Sequence, residues 1–149
     1  MKKITVLFLA IISLNLAGIA KKDLTPDDKD YYKYNWKLTD VYADWDAWEK
    51  DLDYLNAQFP KYAEYKGKLG TSSEVLLDFR KFAEKNSQIS SRLYVFASLS
   101  QDVDSKNPMY VSKLQQVQNM WVEMDRNTAW VQSELAAIPK EKIDQWMAE

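Results

Sequence analysis

The chain has 149 residues, with 20 Lys+Arg against 22 Asp+Glu and neither histidine nor cysteine. Zinc sites are built mostly from thiolate and imidazole, and Ser-His-Asp or Cys-His catalysis needs an imidazole base, so the chain by itself assembles none of these. Three glycines and four prolines fall well below the roughly 12% of average usage, which favours helices over turn-rich β structure.

Residues 1–20 give a basic start at Lys2 and Lys3, an apolar run from Ile4 to about Leu16, and a small-residue exit at Gly18-Ile19-Ala20. This pattern reads as a secretory signal cleaved near Ala20, with an exported product. A stable membrane anchor is not expected, since Ser13 and Asn15 interrupt the run well short of the about 20 apolar residues a spanning helix needs. The lipoprotein-like Leu16-Ala17-Gly18 is followed by Ile19 where lipid attachment requires cysteine. Removing residues 1–20 leaves a net charge of −4, with acids and bases interleaved. No basic stripe exists for phosphate backbones, so nucleic acid is not an expected partner. Residues 21–33, charged and carrying Pro26, are read as a linker.

Aromatics then crowd at Tyr31, Tyr32, Tyr34, Trp36, Tyr42, Trp45 and Trp48. Such density raises ligand stacking as a possibility, but packing of an arm onto the helices that follow is the better reading. Asp44 is placed to cap a helix whose face runs Trp45, Trp48, Leu52, Leu55, Phe59 and Tyr62. Pro60 should kink or break it near Gln58, and Gly67 and Gly70 should stop it. Thr71-Ser72-Ser73-Glu74 reads as a capping box led by the threonine. The next face is Val75, Phe79, Phe82, Asn86, Ile89, Leu93, Phe96, Ser100 and Val103, on one long helix or two collinear ones with a bend near Asn86, Ser87, Ser90 and Ser91. After Ser105-Lys106, Asn107 caps and Pro108 opens another helix, with the face Tyr110, Leu114, Val117, Trp121, Met124, Thr128, Val131, Leu135 and Ile138. Spans 74–104 and 108–138 would each be roughly 46 Å long, and the short connection makes them an antiparallel pair. Pro139 opens a final helix, 140–149, with Ile143, Trp146 and Met147 on its apolar side. It has no stop signal, which suggests a domain continuing past Glu149.

Candidate chemistry is sparse. Asp102-Val103-Asp104 begins like a calcium loop, but Asn107 and Lys113 stand where that loop needs glycine and glutamate. Asp44-Trp45-Asp46 fails in the same way, with Glu49 and Leu55. These acids read as caps and loop residues. Met109, Met120, Met124 and Met147 with Trp121, Trp130 and Trp146 could line a soft groove, yet at heptad spacing they read as core. No glycine-rich phosphate loop is present, and nothing shows which acids face one another, as a glycosidase would require.

Three stretches carry a resemblance. Trp36-Lys37-Leu38-Thr39-Asp40-Val41-Tyr42, followed by Trp48-Glu49, resembles the opening signature of the oligoendopeptidase F family, thimet-oligopeptidase-like zinc metallopeptidases. Tyr65-Lys66-Gly67-Lys68-Leu69 is the second match. The third is Arg92-Leu93-Tyr94-Val95-Phe96-Ala97-Ser98-Leu99 with Asp102, Asp104 and the restart at Asn107. The resemblance implies that residues 34–149 are an all-α N-terminal lobe of long antiparallel helices, one wall of a channel for oligopeptide substrates. It also implies zinc in the full-length protein, held by a downstream His-Glu-x-x-His helix whose two histidines bind the metal while the glutamate activates water. No catalytic, cofactor-binding or metal position carries over, because this chain has no histidine, so inactivity alone is expected. The competing expectations are an exported helical binding module using the arm from Tyr31 to Trp48 as its contact surface, and a structural bundle without ligand. A bare apolar face from Trp121 to Trp146 would favour the lobe.

Overall fold

Residues 36–148 are described by a computed structural model. The expected signal at 1–20, the linker at 21–33 and the aromatics Tyr31, Tyr32 and Tyr34 lie outside the described residues. Regular structure among the described residues is entirely helical: a 3-10 turn at Leu38–Asp40, α1 at Trp45–Gln58, a 3-10 stretch at Phe59–Tyr65, α2 at Ser73–Val103, α3 at Pro108–Thr128, α4 at Val131–Ala136 and α5 at Lys140–Ala148.

Local chemistry sets most of these boundaries. The Asp44 carboxylate accepts the Ala47 amide at 2.8 Å and starts α1, and the Asn107 side chain accepts the Met109 amide at 3.0 Å to start α3. In both cases a side-chain oxygen takes an amide that has no partner inside the helix. Pro60 ends the α-helical bonding of α1 at Gln58 as expected, and the chain continues as a 3-10 helix. The apolar face survives that change, with Trp48, Leu52, Leu55, Phe59 and Tyr62 all buried.

The start of α2 departs from the expected capping box by one residue. Ser72, not Thr71, accepts the Val75 amide, at 3.3 Å, while the Thr71 hydroxyl donates back to the Lys68 carbonyl at 2.7 Å. Glu74 then falls in the first turn, where hydrogen bonds from the Ser72 hydroxyl and a backbone amide hold its carboxyl below the usual carboxylate range. From Ser73 the helix runs unbroken for 31 residues through Asn86–Ser91.

Contacts between α2 and α3 run in opposite chain directions, so the two are antiparallel. Trp130, just past α3, meets Phe79 with ring centroids 6.0 Å apart. The Trp121 indole donates to the Ser90 hydroxyl at 2.9 Å, and Trp45 bridges Phe96 and Tyr110, at 4.7 and 5.8 Å. α1 joins them through Trp48, whose indole donates to the Leu93 carbonyl at 2.9 Å. Leu55, Leu69, Leu93 and Val117 are fully buried in the resulting core, each contributing about 1.5–3 kcal/mol of transfer free energy.

The second long helix is shorter than its heptads imply. It ends at Thr128, and residues 131–136 form a separate helix. Three side chains take up the carbonyls near the break: Asn127 donates to Glu123, Thr128 to Met124, and the Trp130 indole to Asn127, all at 2.8 Å. The face still packs, since Trp121, Met124, Trp130, Val131, Leu135 and Ile138 lie against the core. Val103, expected on the apolar face, is 69% exposed, and Met147, expected on the apolar side of α5, is 81% exposed.

Candidate functional site

Among the described residues a groove of about 570 Å³ lies between α1 and α3. Leu52, Phe59 and Met120 form its apolar floor; Asp53, Asn56 and Pro60 form one wall, and Gln116, Asn119, Glu123 and Asn127 the other. The latter four recur at helical spacing on α3, so their side chains form a polar row along one face. Some of this polarity is already used within the chain. Asn119 accepts from Gln115 at 3.2 Å, Asn127 donates to the Glu123 carbonyl, and the Glu123 carboxylate pairs with Arg126 outside the groove. The Asn127 carbonyl oxygen and the Asn119 amide remain available.

Two other polar nodes brace the fold. Tyr42 donates to the Asp51 carboxylate at 2.7 Å, and the Arg92 guanidinium covers the Tyr42 ring at 4.5 Å. Burial, and then this hydrogen bond and the Asp51 charge, push the Tyr42 phenol far above its ordinary value near 10, although Arg92 opposes the shift. Burial also raises Tyr62, against the opposing hydrogen bond from Asn86. A phenol whose pKa is raised on folding contributes stability that is fully present below pH 10 and is lost as pH rises through and beyond that value. Urea titrations at pH 8 and pH 11 should therefore show a larger loss for the native chain than for Tyr42→Phe; equal losses would remove Tyr42 from the alkaline limb. At the second node Lys113 pairs with Glu49 beneath the rings of Trp48 and Trp45, at 5.1 and 5.9 Å.

A third node ties the end of the bundle to the loop after the 3-10 stretch. The Glu134 carboxylate accepts the amides of Gly67 and Leu69 at 2.8 and 2.7 Å. Lys142 donates to the Gly70 carbonyl at 2.7 Å. Gly67 has φ of +80°, a left-handed conformation in which a side chain would be strained.

The acids singled out in the sequence take structural places. Asp44 caps α1, Asp104 ends α2 and accepts the Lys106 amide, and Asp46 and Asp102 are exposed. Among the described residues no three acids gather to hold a metal ion, and with no histidine or cysteine in the sequence the donor set does not fit zinc. Of the arm aromatics, Tyr42 and Trp48 are buried and Trp45 packs against them, so the arm from Tyr42 on is core, whereas Trp36 is 68% exposed. Of the Met and Trp set, Met120 is buried and Met124, Trp121 and Trp130 join the core, whereas Met109 is exposed. The face is packed from Trp121 to Ile138, whereas beyond it Trp146 is only half-buried and Met147 is exposed. Sequence reasoning missed the groove; its signal was the carboxamides Gln116, Asn119 and Asn127, which recur at helical spacing on one helix.

Comparison with known proteins sets this helical chain among relatives of bacterial oligopeptidases. It is 27% identical over 137 residues to oligopeptidase PepF of Bacillus subtilis (strain 168), covering 91% of this chain and 20% of that protein. It is 28% identical over 118 residues to the plasmid oligoendopeptidase F of Lactococcus lactis subsp. cremoris, 78% of this chain and 20% of the relative. Group B oligopeptidase PepB of Streptococcus agalactiae serotype III (strain NEM316) is 23% identical over 117 residues, again 78% and 20%. The chain is thus related to oligoendopeptidase F, and it spans about a fifth of the length of the curated relatives it matches. No protein-family model and no solved structure matches it.

Proposed function

We propose that the chain is the N-terminal substrate-channel lobe of an exported oligoendopeptidase F-like zinc metallopeptidase, acting in oligopeptide hydrolysis only together with a catalytic His-Glu-x-x-His domain that it lacks. The observation that carries the reading is similarity over 91% of this chain to a fifth of a named oligopeptidase. The absence of histidine fits a lobe that never supplied the metal. The groove between α1 and α3 gives it a wall able to meet a peptide. The alternative, a non-catalytic binding module using the arm at Tyr31 to Trp48, is weakened by the burial of Tyr42 and Trp48.

Two measurements test the reading. The native product, recovered from the source cells with an antibody against residues 36–148, is expected to run several times heavier than this chain, or alongside a separate catalytic polypeptide. The chain alone, supplied with zinc and a quenched fluorescent oligopeptide, is expected to give no turnover. Zinc-dependent hydrolysis by the isolated chain overturns the proposal.

A further inference from the structure

We propose that the groove between α1 and α3 binds an extended peptide of about five residues and prefers one carrying a basic side chain. The choice of a peptide over other amide-seeking ligands rests on the lobe reading above; the length and charge preference rest on the groove itself.

Length follows from the row on α3. Gln116 to Asn127 spans eleven residue steps, which at 1.5 Å each is about 16 Å, the length of about five residues of extended chain at 3.3 Å each. An extended peptide presents amide donors and carbonyl acceptors in alternation, and a carboxamide side chain supplies both functions from one group. Asn56, Gln116, Asn119 and Asn127 line the groove, and they surround the apolar floor of Leu52, Phe59 and Met120, which can take one side chain of the ligand. Such a pairing of apolar floor and convergent polar groups is the usual make-up of a ligand site.

Charge follows from the lining. Asp53 and Glu123 are both there, and no lysine or arginine is. Arg126 meets Glu123 from outside the groove, while Asp53 faces the solvent from α1. Glu123 is already paired, so the negative charge left open to a ligand is that of Asp53, which no lysine or arginine of the lining meets; it attracts a cationic side chain and repels an acidic one.

Isothermal titration calorimetry of the full chain with acetyl-Ala-Ala-Lys-Ala-Ala-amide, its Glu counterpart and maltopentaose tests this. The lysine peptide is expected to bind about fivefold more tightly than the glutamate peptide at low ionic strength, with the gap narrowing as salt is added. Asp53→Asn with Glu123→Gln should abolish the gap while leaving binding of both peptides. Gln116→Ala with Asn119→Ala should weaken both, and Asp102→Asn, away from the groove, should change neither. No heat with either peptide, equal affinities, binding of maltopentaose alone, or indifference to the groove substitutions overturns the proposal. The readout is binding without catalysis, so its failure leaves the lobe reading standing on its own assay; turnover by the isolated chain would overturn the lobe reading and leave the groove untouched.

Discussion

Truncation of Trp48 to alanine is expected to lower the unfolding free energy by about 4 kcal/mol. The side chain is fully buried and joins all three long helices. It sits on α1, its indole donates to the Leu93 carbonyl of α2 at 2.9 Å, and the Lys113 ammonium of α3 lies over its ring at 5.1 Å. Its edge also meets Trp45, with centroids 5.4 Å apart. Alanine leaves a cavity among side chains held by helices that cannot close upon it. Single domains are stable by only about 5–15 kcal/mol, so the loss is a large share of the total. Trp48→Phe separates the contributions: it keeps most of the apolar volume and gives up the indole donor, with an expected loss of about 2 kcal/mol. Urea titration followed by far-ultraviolet circular dichroism gives both values. A loss under about 1 kcal/mol for the alanine variant would mean that α1 is held elsewhere.

Glu134→Ala should cost about 2 kcal/mol, although the side chain is only half-buried. Its carboxylate takes two backbone amides at once, those of Gly67 and Leu69, and bonds from an amide to a charged acceptor are stronger than neutral ones. Removing it leaves the partly buried Leu69 amide without its protein acceptor. The loop also loses what holds Gly67 in its left-handed turn. Glu134→Gln keeps one carbonyl oxygen and should lose about half as much. Hydrogen exchange provides an independent reading: the Leu69 amide should exchange faster in both variants, and amides in the middle of α2 should not. Unchanged exchange at Leu69 would show that the loop keeps its shape without the carboxylate.

What the sequence made legible divides along the range of the interactions. Asp44 and Asn107 were readable as caps because the interaction lies within three residues of each. The break after Gln58 was readable because Pro60 acts on its own backbone. The start of α2 was misplaced by one residue because Thr71 and Ser72 are both competent caps. The loop ahead of them, pinned by Glu134 from 65 residues away, places Thr71 over the Lys68 carbonyl and leaves Ser72 to cap. The end of α3 was hidden for a different reason. Apolar periodicity persists through Val131, Leu135 and Ile138, while the break is made by Asn127, Thr128 and Trp130 reaching backbone carbonyls, a choice periodicity does not register. Asn86 and Ser100 looked like interruptions of a face; both are buried, Asn86 donating to the Tyr62 hydroxyl at 3.3 Å and Ser100 to the Phe96 carbonyl at 2.7 Å. The groove was illegible because carboxamides on an amphipathic helix look like any solvated face until a second helix stands beside them.

The distance in sequence between Glu134 and the loop it holds also bears on the order of assembly. Residues 67–69 and 134 can meet only after α2 has doubled back on α3, because closing that interval in an unfolded chain carries an entropic cost that the hairpin has already met. The short Asp104–Asn107 link makes the hairpin a local structure, quick to form. Contacts of Glu134 should accordingly be absent from the folding transition state. Its removal would then quicken unfolding and leave the refolding rate nearly unchanged, whereas changes at Leu93 or Val117, within the hairpin, would slow refolding. In an unfinished polypeptide the α2–α3 pair could thus be in place before α4 had been made.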